Sequence, residues 1–199
     1  MIYKDQLIPT GALNDVGATL RINVPNSYRL GLELQTDWTI VEQLHWNANL
    51  TLSQNKIQNF EEVVYDYTNG FDVITNNFEN TDIAFSPNVV AGSQLSWRPV
   101  KAAEIALLTK YVGDQFLDNT SNENRKIDAY TVSDLRLGYQ WKPERMESIQ
   151  LSLTINNLFD AQYSANGYTF GYVFGDLITE NFYYPQAGIW WMLGLDLKF

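Results

Sequence analysis

The 199-residue chain contains no cysteine and a single histidine, His45. The absence of cysteine excludes disulfide frameworks, thiol catalysis and zinc–thiolate sites. One histidine without a second soft ligand cannot form a metal site, so we expect His45 to hydrogen-bond to a neighbouring strand or domain. Basic residues are also few, 13 against 23 acidic ones, which gives a formal net charge of −10 and argues against nucleic acid as a partner.

Long apolar runs and enzyme signatures are missing as well. No stretch approaches eighteen uncharged apolar residues, which excludes a transmembrane helix, and residues 1–6 do not resemble a signal peptide. There is no Gly-x-Ser-x-Gly elbow and no phosphate-binding glycine loop, so we expect neither an enzyme nor a bound cofactor. Asp66, Asn69, Gly70 and Asp72 miss the EF-hand spacing and predict a solvated turn rather than a calcium site.

What the sequence does contain is a strict alternation over its last thirteen residues, 187–199. One face of this stretch carries large apolar residues and the other face is mixed. The apolar face consists of Ile189, Trp191, Leu193, Leu195, Leu197 and Phe199. A period of two indicates a β-strand, and an apolar face of this kind is typical of the lipid-facing side of an outer-membrane barrel.

The same alternation recurs in six runs upstream, and residues 1–8 predict the end of another strand. These runs are residues 28–40, 44–53, 88–98, 103–111, 134–141 and 149–156. A tilted strand of roughly ten residues spans the apolar band of about 25 Å, whereas strands of soluble proteins average about five or six residues. A soluble β-sandwich binding module is therefore disfavoured.

The predicted connections alternate between short and long. Short ones are residues 41–43, 98–101 and 142–145, and long ones are residues 9–27, 60–86, 113–128 and 164–186. Short periplasmic turns and long extracellular loops are typical of outer-membrane barrels, and an aromatic girdle lies near each interface. Trp38, Trp46, Trp97 and Trp141 fall beside the short turns. The predicted fold is therefore all-β, an antiparallel transmembrane barrel wall of about eight strands, the first of them truncated.

Several motifs occur in an order and spacing that resemble the C-terminal barrel of TonB-dependent outer-membrane receptors. They are NSYRLGLE (26–33), FSPNV (85–89), KYVGDQF (110–116), YTVSDL (130–135), NNLFD (156–160) and the final strand 193–199. The loop 11–17 most resembles receptors of the Bacteroidetes type. The family's barrel has twenty-two strands filled by a plug domain, so the resemblance implies that residues 1–199 form a C-terminal segment of such a barrel without the plug.

The resemblance implies a function and a set of partners. The function is TonB-dependent import of a scarce nutrient across the outer membrane of a Gram-negative bacterium, with an iron–siderophore or similar iron chelate favoured over a glycan or cobalamin. The partners are membrane lipid, the plug, the TonB complex, a small-molecule ligand and the barrel-assembly machinery. Leu195, Leu197 and Phe199 resemble the assembly signal, which implies that Phe199 is a true C-terminus.

The main alternative is a self-sufficient eight-stranded barrel with a structural or adhesive role. The even number of strands permits it, but the truncated first strand, the lack of a signal peptide and the match to a longer family disfavour it. An isolated wall segment would leave two unpaired sheet edges, which a membrane does not tolerate, so we expect it to aggregate by itself.

Aromatic residues are concentrated in the long connections and have two interpretations. They either continue the strands above the membrane and form cross-strand pairs, or present a stacking surface to a ligand. The first is favoured, because the alternation over residues 168–174 predicts an extended hairpin arm. The candidate ligand-facing residues are Tyr65, Tyr67, Phe71, Tyr168, Tyr172 and Tyr183, with Phe170, Phe174 and Tyr184 nearby.

Overall fold

A computed structural model describes residues 1–199, which form thirteen β-strands. The strands are β1 (Ile2–Leu13), β2 (Thr19–Val41), β3 (Leu44–Asp66), β4 (Asp72–Asp82), β5 (Val89–Val100), β6 (Ala103–Val112), β7 (Gln115–Phe116), β8 (Lys126–Ile127), β9 (Tyr130–Trp141), β10 (Ser148–Asn156), β11 (Ser164–Phe174), β12 (Asp176–Pro185) and β13 (Trp190–Lys198). The structure has no helix with the length and apolar character needed to cross a membrane.

Eight of these strands form one continuous antiparallel wall in the order β1-β2-β3-β5-β6-β9-β10-β13. The number of wall strands and the all-β class confirm the prediction. The wall is open, because β13 pairs with β10 alone and β1 pairs with β2 alone. A closed eight-stranded barrel would require β1 to pair with β13, so the structure does not support the self-sufficient barrel.

The strand register places the predicted apolar residues together on one face of the wall. Directly paired residues share a face of a sheet, so a row of paired positions tests the prediction. One such row crosses seven strands through Trp38, Trp46, Leu95, Leu107, Leu135, Ile155 and Trp191. On the opposite face Glu33 pairs with Thr51 and Gln35 with Asn49. The two faces therefore differ in polarity as the alternation predicted.

The short turns lie together at one end of the wall, with the tryptophans beside them. The turns joining β2 to β3, β5 to β6 and β9 to β10 all lie at this end. Trp38 pairs with Trp46, whose Nε1 donates a hydrogen bond to Ser93 Oγ at 2.9 Å. Trp38, Trp97 and Trp141 remain exposed on the apolar face, which is the position expected of an aromatic girdle.

Most residues of the predicted long connections 9–27, 60–86 and 164–186 continue the strands as extended hairpins, in agreement with the favoured interpretation of their aromatic residues. β1 extends to Leu13, β2 begins at Thr19, and β3 runs unbroken to Asp66. Residues 72–82 add β4, and residues 164–185 form the β11–β12 hairpin, which agrees with the arm predicted over residues 168–174. The alternation alone could not show how far the strands extend. Their backbone pairing continues beyond the apolar band, where the outer face of the strands is no longer apolar.

The connection between β6 and β9 folds back against the extended hairpins, and its short strands β7 and β8 pair only with each other. We call residues 113–129 the inner segment. It contains Leu117 and Ile127, which are buried, and it packs near a cluster formed by Ile8, Val24, Ile57, Phe60 and Ile83. Gly11 has a φ of +89°, and a Cβ there would lie 3.0 Å from Asp118 Cβ and closer still to the carbonyl oxygen of Leu117. Glycine at position 11 therefore allows two backbones to meet.

Candidate functional site

The inner segment joins the other long hairpins through buried polar contacts. Asn119 is fully buried, donates from Nδ2 to the Pro9 carbonyl at 2.8 Å and accepts from the Ala84 N–H at 2.9 Å. On the other side, Asn181 Nδ2 donates to the Asn124 carbonyl at 2.6 Å. These bonds connect the β1–β2 hairpin, the β3–β4 hairpin and the β11–β12 hairpin through one segment.

Arg125 is the charged centre of the inner segment and is almost completely buried. Its Nη1 donates to Glu62 Oε1 at 2.6 Å and to Asp118 Oδ2 at 2.7 Å, and its Nη2 contacts Thr179 Oγ1 at 3.4 Å. Burial by itself would lower the pKa of Arg125, but the hydrogen bonds to Glu62 and Asp118 raise the pKa above its ordinary value. Arg125 Nε has no hydrogen-bond partner.

The β3–β4 hairpin and the β11–β12 hairpin extend from distant strands of the wall and meet at their tips. β11 pairs in parallel with the end of β3 through Tyr172 with Tyr65 and Val173 with Asp66. The Tyr67 N–H donates to the Val173 carbonyl at 2.9 Å, and the Gly175 N–H donates to Thr68 Oγ1 at 2.8 Å. These hydrogen bonds hold the two tips in a defined relation to each other.

A cleft of about 520 Å³ lies between these tips and the inner segment. Its aromatic lining consists of Phe60, Tyr65, Tyr67, Phe170 and Tyr172, and its charged lining consists of Glu61, Glu62, Asp118 and Arg125. The volume is in the range of sites for small molecules, which bury a ligand against apolar walls with a few polar groups. The arrangement can hold a ligand by stacking and hydrogen bonding.

The structure brings four of the six candidate aromatics together. Tyr65, Tyr67 and Tyr172 line the cleft. Phe71 stacks on Tyr65 with a centroid distance of 5.6 Å and contacts Tyr67 at 5.8 Å. Tyr67 also meets Tyr172 edge to face at 6.4 Å. The same rings therefore contact one another and line the cleft.

Tyr168 and Tyr183 lie outside the cleft. Tyr168 stacks on Phe182 with a centroid distance of 4.8 Å. The Tyr183 hydroxyl donates to the Lys126 carbonyl at 3.0 Å and so ties the β12 strand to the inner segment. Hydrogen bonds to Asp114 and then Glu123 raise the pKa of the neighbouring Lys126. These residues support the hairpin arm instead of facing the cleft.

The sequence analysis missed the charged and inner-segment residues of the cleft. Glu62, Asp118 and Arg125 carry no local signal, because the partners of Arg125 lie in other parts of the chain. Phe60 shares the aromatic enrichment of its hairpin, and that enrichment was the signal that could have found it, whereas Phe170 was already noted beside the candidate residues. Long-range packing, which periodicity does not report, places the inner segment against β3.

His45 and the polar residues between Asp66 and Asp72, which the sequence analysis also considered, lie at or next to the turns of two hairpins. His45 Nδ1 lies 3.1 Å from Thr39 Oγ1 on the neighbouring strand β2. Asp66 and Asp72 pair directly across the β3–β4 hairpin, and Asn69 and Gly70 lie in its turn. Hydrogen bonds from the Thr68 side chain and backbone lower the pKa of Asp66. No group of histidine and carboxylate side chains in the chain has the arrangement of a metal site.

Comparison with known proteins then decides the family. The family model described as TonB dependent receptor-like, beta-barrel matches residues 1–158. The chain belongs to this family. TonB-dependent receptors are receptors and transporters, not enzymes, and their barrels lie in the outer membrane.

Solved structures agree with the fold of this TonB-dependent receptor barrel. The siderophore receptor PiuA from Acinetobacter baumannii superposes with a TM-score of 0.66 at 15% identity, covering 100% of this chain and 25% of that one. The ferric-catecholate import receptor Fiu from E. coli K12 gives 0.63 at 16% identity, with 100% and 24% covered. The ferric yersiniabactin receptor FyuA from Yersinia pestis gives 0.57 at 19% identity, with 94% and 25% covered.

The chain therefore spans about a quarter of the length of these receptors. In a TonB-dependent receptor barrel the short turns face the periplasm and the long connections face the outside. The cleft lies at the end of the wall where the long connections gather, opposite the turns that carry the tryptophans.

Proposed function

We propose that this chain is the C-terminal part of a TonB-dependent receptor that imports an iron–siderophore or similar iron chelate across a Gram-negative outer membrane. The cleft between the β3–β4 and β11–β12 tips carries this proposal, because it offers a ligand an aromatic wall at the outer end of the barrel. The siderophore receptors among the structural neighbours support an iron chelate as the cargo. The plug and the TonB complex are the partners that the transport step requires.

The role of the aromatic lining can be tested by uptake of radioactive iron chelates. Tyr67 and Tyr172 both line the cleft. When a nucleobase stacks on an aromatic side chain, that one ring contributes on the order of 1–3 kcal/mol to binding, and we take this as the scale for a planar ligand group. We expect Tyr67→Ala and Tyr172→Ala to reduce chelate binding about tenfold. Tyr168→Ala is the matched control, because Tyr168 lies in the same strand as Tyr172 but stacks on Phe182.

The outcome of the uptake assay decides between the proposal and its rivals. The proposal is supported if the cells take up a ferric chelate in a TonB-dependent way, and if this uptake falls with Tyr67→Ala but stays unchanged with Tyr168→Ala. Uptake that is absent for every ferric chelate, in cells that assemble the receptor, contradicts the choice of cargo. Uptake of a glycan or a cobalamin in the same cells would identify that compound, instead of an iron chelate, as the cargo.

We also propose that β13 is recognised by the barrel-assembly machinery. Leu195 and Leu197 are exposed on the apolar face of β13, the exposed Phe199 follows this strand, and within this chain β13 has a free edge opposite β10. A free edge can accept another strand by backbone pairing. We expect Phe199→Ala to lower the amount of heat-modifiable barrel in outer membranes, while Lys198→Ala, on the opposite face, leaves it unchanged.

A further inference from the structure

The charge of the cleft distinguishes between classes of ligand. Its lining contains three carboxylates, from Glu61, Glu62 and Asp118, and one guanidinium, from Arg125, which leaves a formal charge of −2. No lysine lines it. An aromatic cleft with this balance is a poor environment for an anion, because like charges at close range repel and the cleft walls exclude part of the screening solvent.

Arg125 does not compensate for this deficit of positive charge. Its Nη1 is already shared between Glu62 and Asp118, and its side chain is only 3% exposed. An anionic ligand would have to compete with two carboxylates that are held within the fold. The N–H at Nε has no partner, but it is itself buried and so offers no accessible positive charge to an anion.

The aromatic wall favours the opposite kind of ligand. The negative face of an aromatic ring attracts a cation and stacks well with planar neutral groups. Tyr65, Tyr67 and Tyr172 are held near one another by ring contacts and by the β3–β11 pairing. Their rings therefore form one aromatic surface at the cleft.

We propose that this cleft selects uncharged or cationic ligands and rejects polyanionic ones. Applied to the function proposed above, on which this inference rests, the cargo is a neutral or positively charged ferric chelate of the hydroxamate class. A ferric tris-catecholate, which carries three negative charges, binds more weakly. Glu61 is the main selector, because it lines the cleft, is exposed and makes no hydrogen bond or ion pair within the chain.

The test measures binding of defined ligands to the complete receptor purified in detergent. The ligands are a neutral ferric tris-hydroxamate, a cationic ferric tris-hydroxamate and a trianionic ferric tris-catecholate, titrated by quenching of tryptophan fluorescence. We expect the trianion to bind at least about tenfold more weakly than the neutral complex, and the difference to shrink at high salt, because added ions screen the repulsion. Equal or tighter binding of the trianion overturns the proposal.

A charge reversal at one position gives the matched comparison. Glu61→Lys changes the charge of the cleft from −2 to zero, and we expect it to strengthen binding of the trianion about tenfold with little effect on the neutral complex. Glu42→Lys makes the same change in net charge in the exposed turn between β2 and β3, at the opposite end of the wall from the cleft. Equal effects of the two variants would show that the selection comes from the overall field and not from the cleft.

Two further ligands separate this inference from the proposed cargo. An uncharged oligosaccharide and its sulfated form differ in charge but contain no iron. If no ferric chelate binds but the uncharged sugar binds better than the sulfated one, the cargo proposal fails and the charge selection stands. If none of the five ligands binds, or if charge has no effect, the assignment of this cleft as a charge-selective site is overturned.

Discussion

Arg125 Nη1 lies 2.6 Å from Glu62 Oε1, although 63 residues separate the two in the chain. Glu62 belongs to β3, a strand of the wall, while Arg125 belongs to the inner segment. The same nitrogen also contacts Asp118, so one guanidinium joins the wall to the segment that covers it. Around this ion cluster the tips of two hairpins and the inner segment form the cleft.

Removal of the Arg125 charge should loosen the inner segment. Arg125→Met leaves two carboxylates unpaired in a buried site, and breaking a buried pair in this way costs about 3–5 kcal/mol. We expect hydrogen exchange to speed up in residues 113–129 and at the β3–β4 tip, while the wall strands stay protected.

Lys126→Met is the control for this prediction, because Lys126 pairs with the more exposed Asp114 and Glu123. Exposed pairs contribute only about 0–1 kcal/mol, so little change is expected there. Unaltered exchange in residues 113–129 of Arg125→Met would contradict a structural role for the ion cluster.

Gly11→Ala should displace the inner segment by steric overlap. Gly11 and Gly17 both have positive φ, +89° and +80°, so alanine is strained at either position. The Cβ at position 11 would collide with the Leu117 carbonyl, while nothing lies within 4 Å of a Cβ at position 17. Overpacking adds typically about 1–3 kcal/mol to the strain. We expect Gly11→Ala to lower the free energy of unfolding clearly more than Gly17→Ala does, as measured by urea unfolding in bilayers. Equal losses for the two variants would rule out the close contact between Gly11 and Leu117.

Substitution on the two faces of β2 should give opposite results. Leu34 pairs with Leu50 on the apolar face, and its neighbour Gln35 pairs with Asn49 on the polar face. An arginine on the lipid face near the bilayer midplane costs about 2–4 kcal/mol. We expect Leu34→Arg to lower the stability or yield of the folded barrel and Gln35→Arg to leave both nearly unchanged. The reverse order would mean that the faces are assigned the wrong way round.

The 199-residue chain by itself should not form a barrel. β1 pairs only with the Thr19–Tyr28 half of β2, which leaves residues 30–41 of β2 unpaired on that side, and β13 is unpaired at the other edge. Unpaired backbone groups cost several kcal/mol each in a bilayer. Refolding into detergent or lipid is expected to give aggregates. A heat-modifiable, protease-resistant monomer recovered from this chain would show that the edges can close.

Local chemistry in the sequence was enough to predict the wall. Apolar residues alternate with other residues at Leu193, Leu195 and Leu197 and in six runs upstream. This period of two is a local property, because it follows from the geometry of each single strand. Because every wall strand faces lipid on one side, the number of strands, their faces and the end with short turns could all be derived. The motif NNLFD at residues 156–160 and its companions indicated the family before any contact was known.

Only the tertiary structure decided how the other end of the wall is built. The extension of β2 and β3 beyond the apolar band, the parallel contact of Tyr172 with Tyr65 and the burial of Arg125 all join residues that are distant in sequence. No periodicity reports such contacts, because each depends on the folding of several hairpins against one another. The sequence by itself thus determined which face of each strand meets the lipid, and long-range packing determined which residues line the cleft.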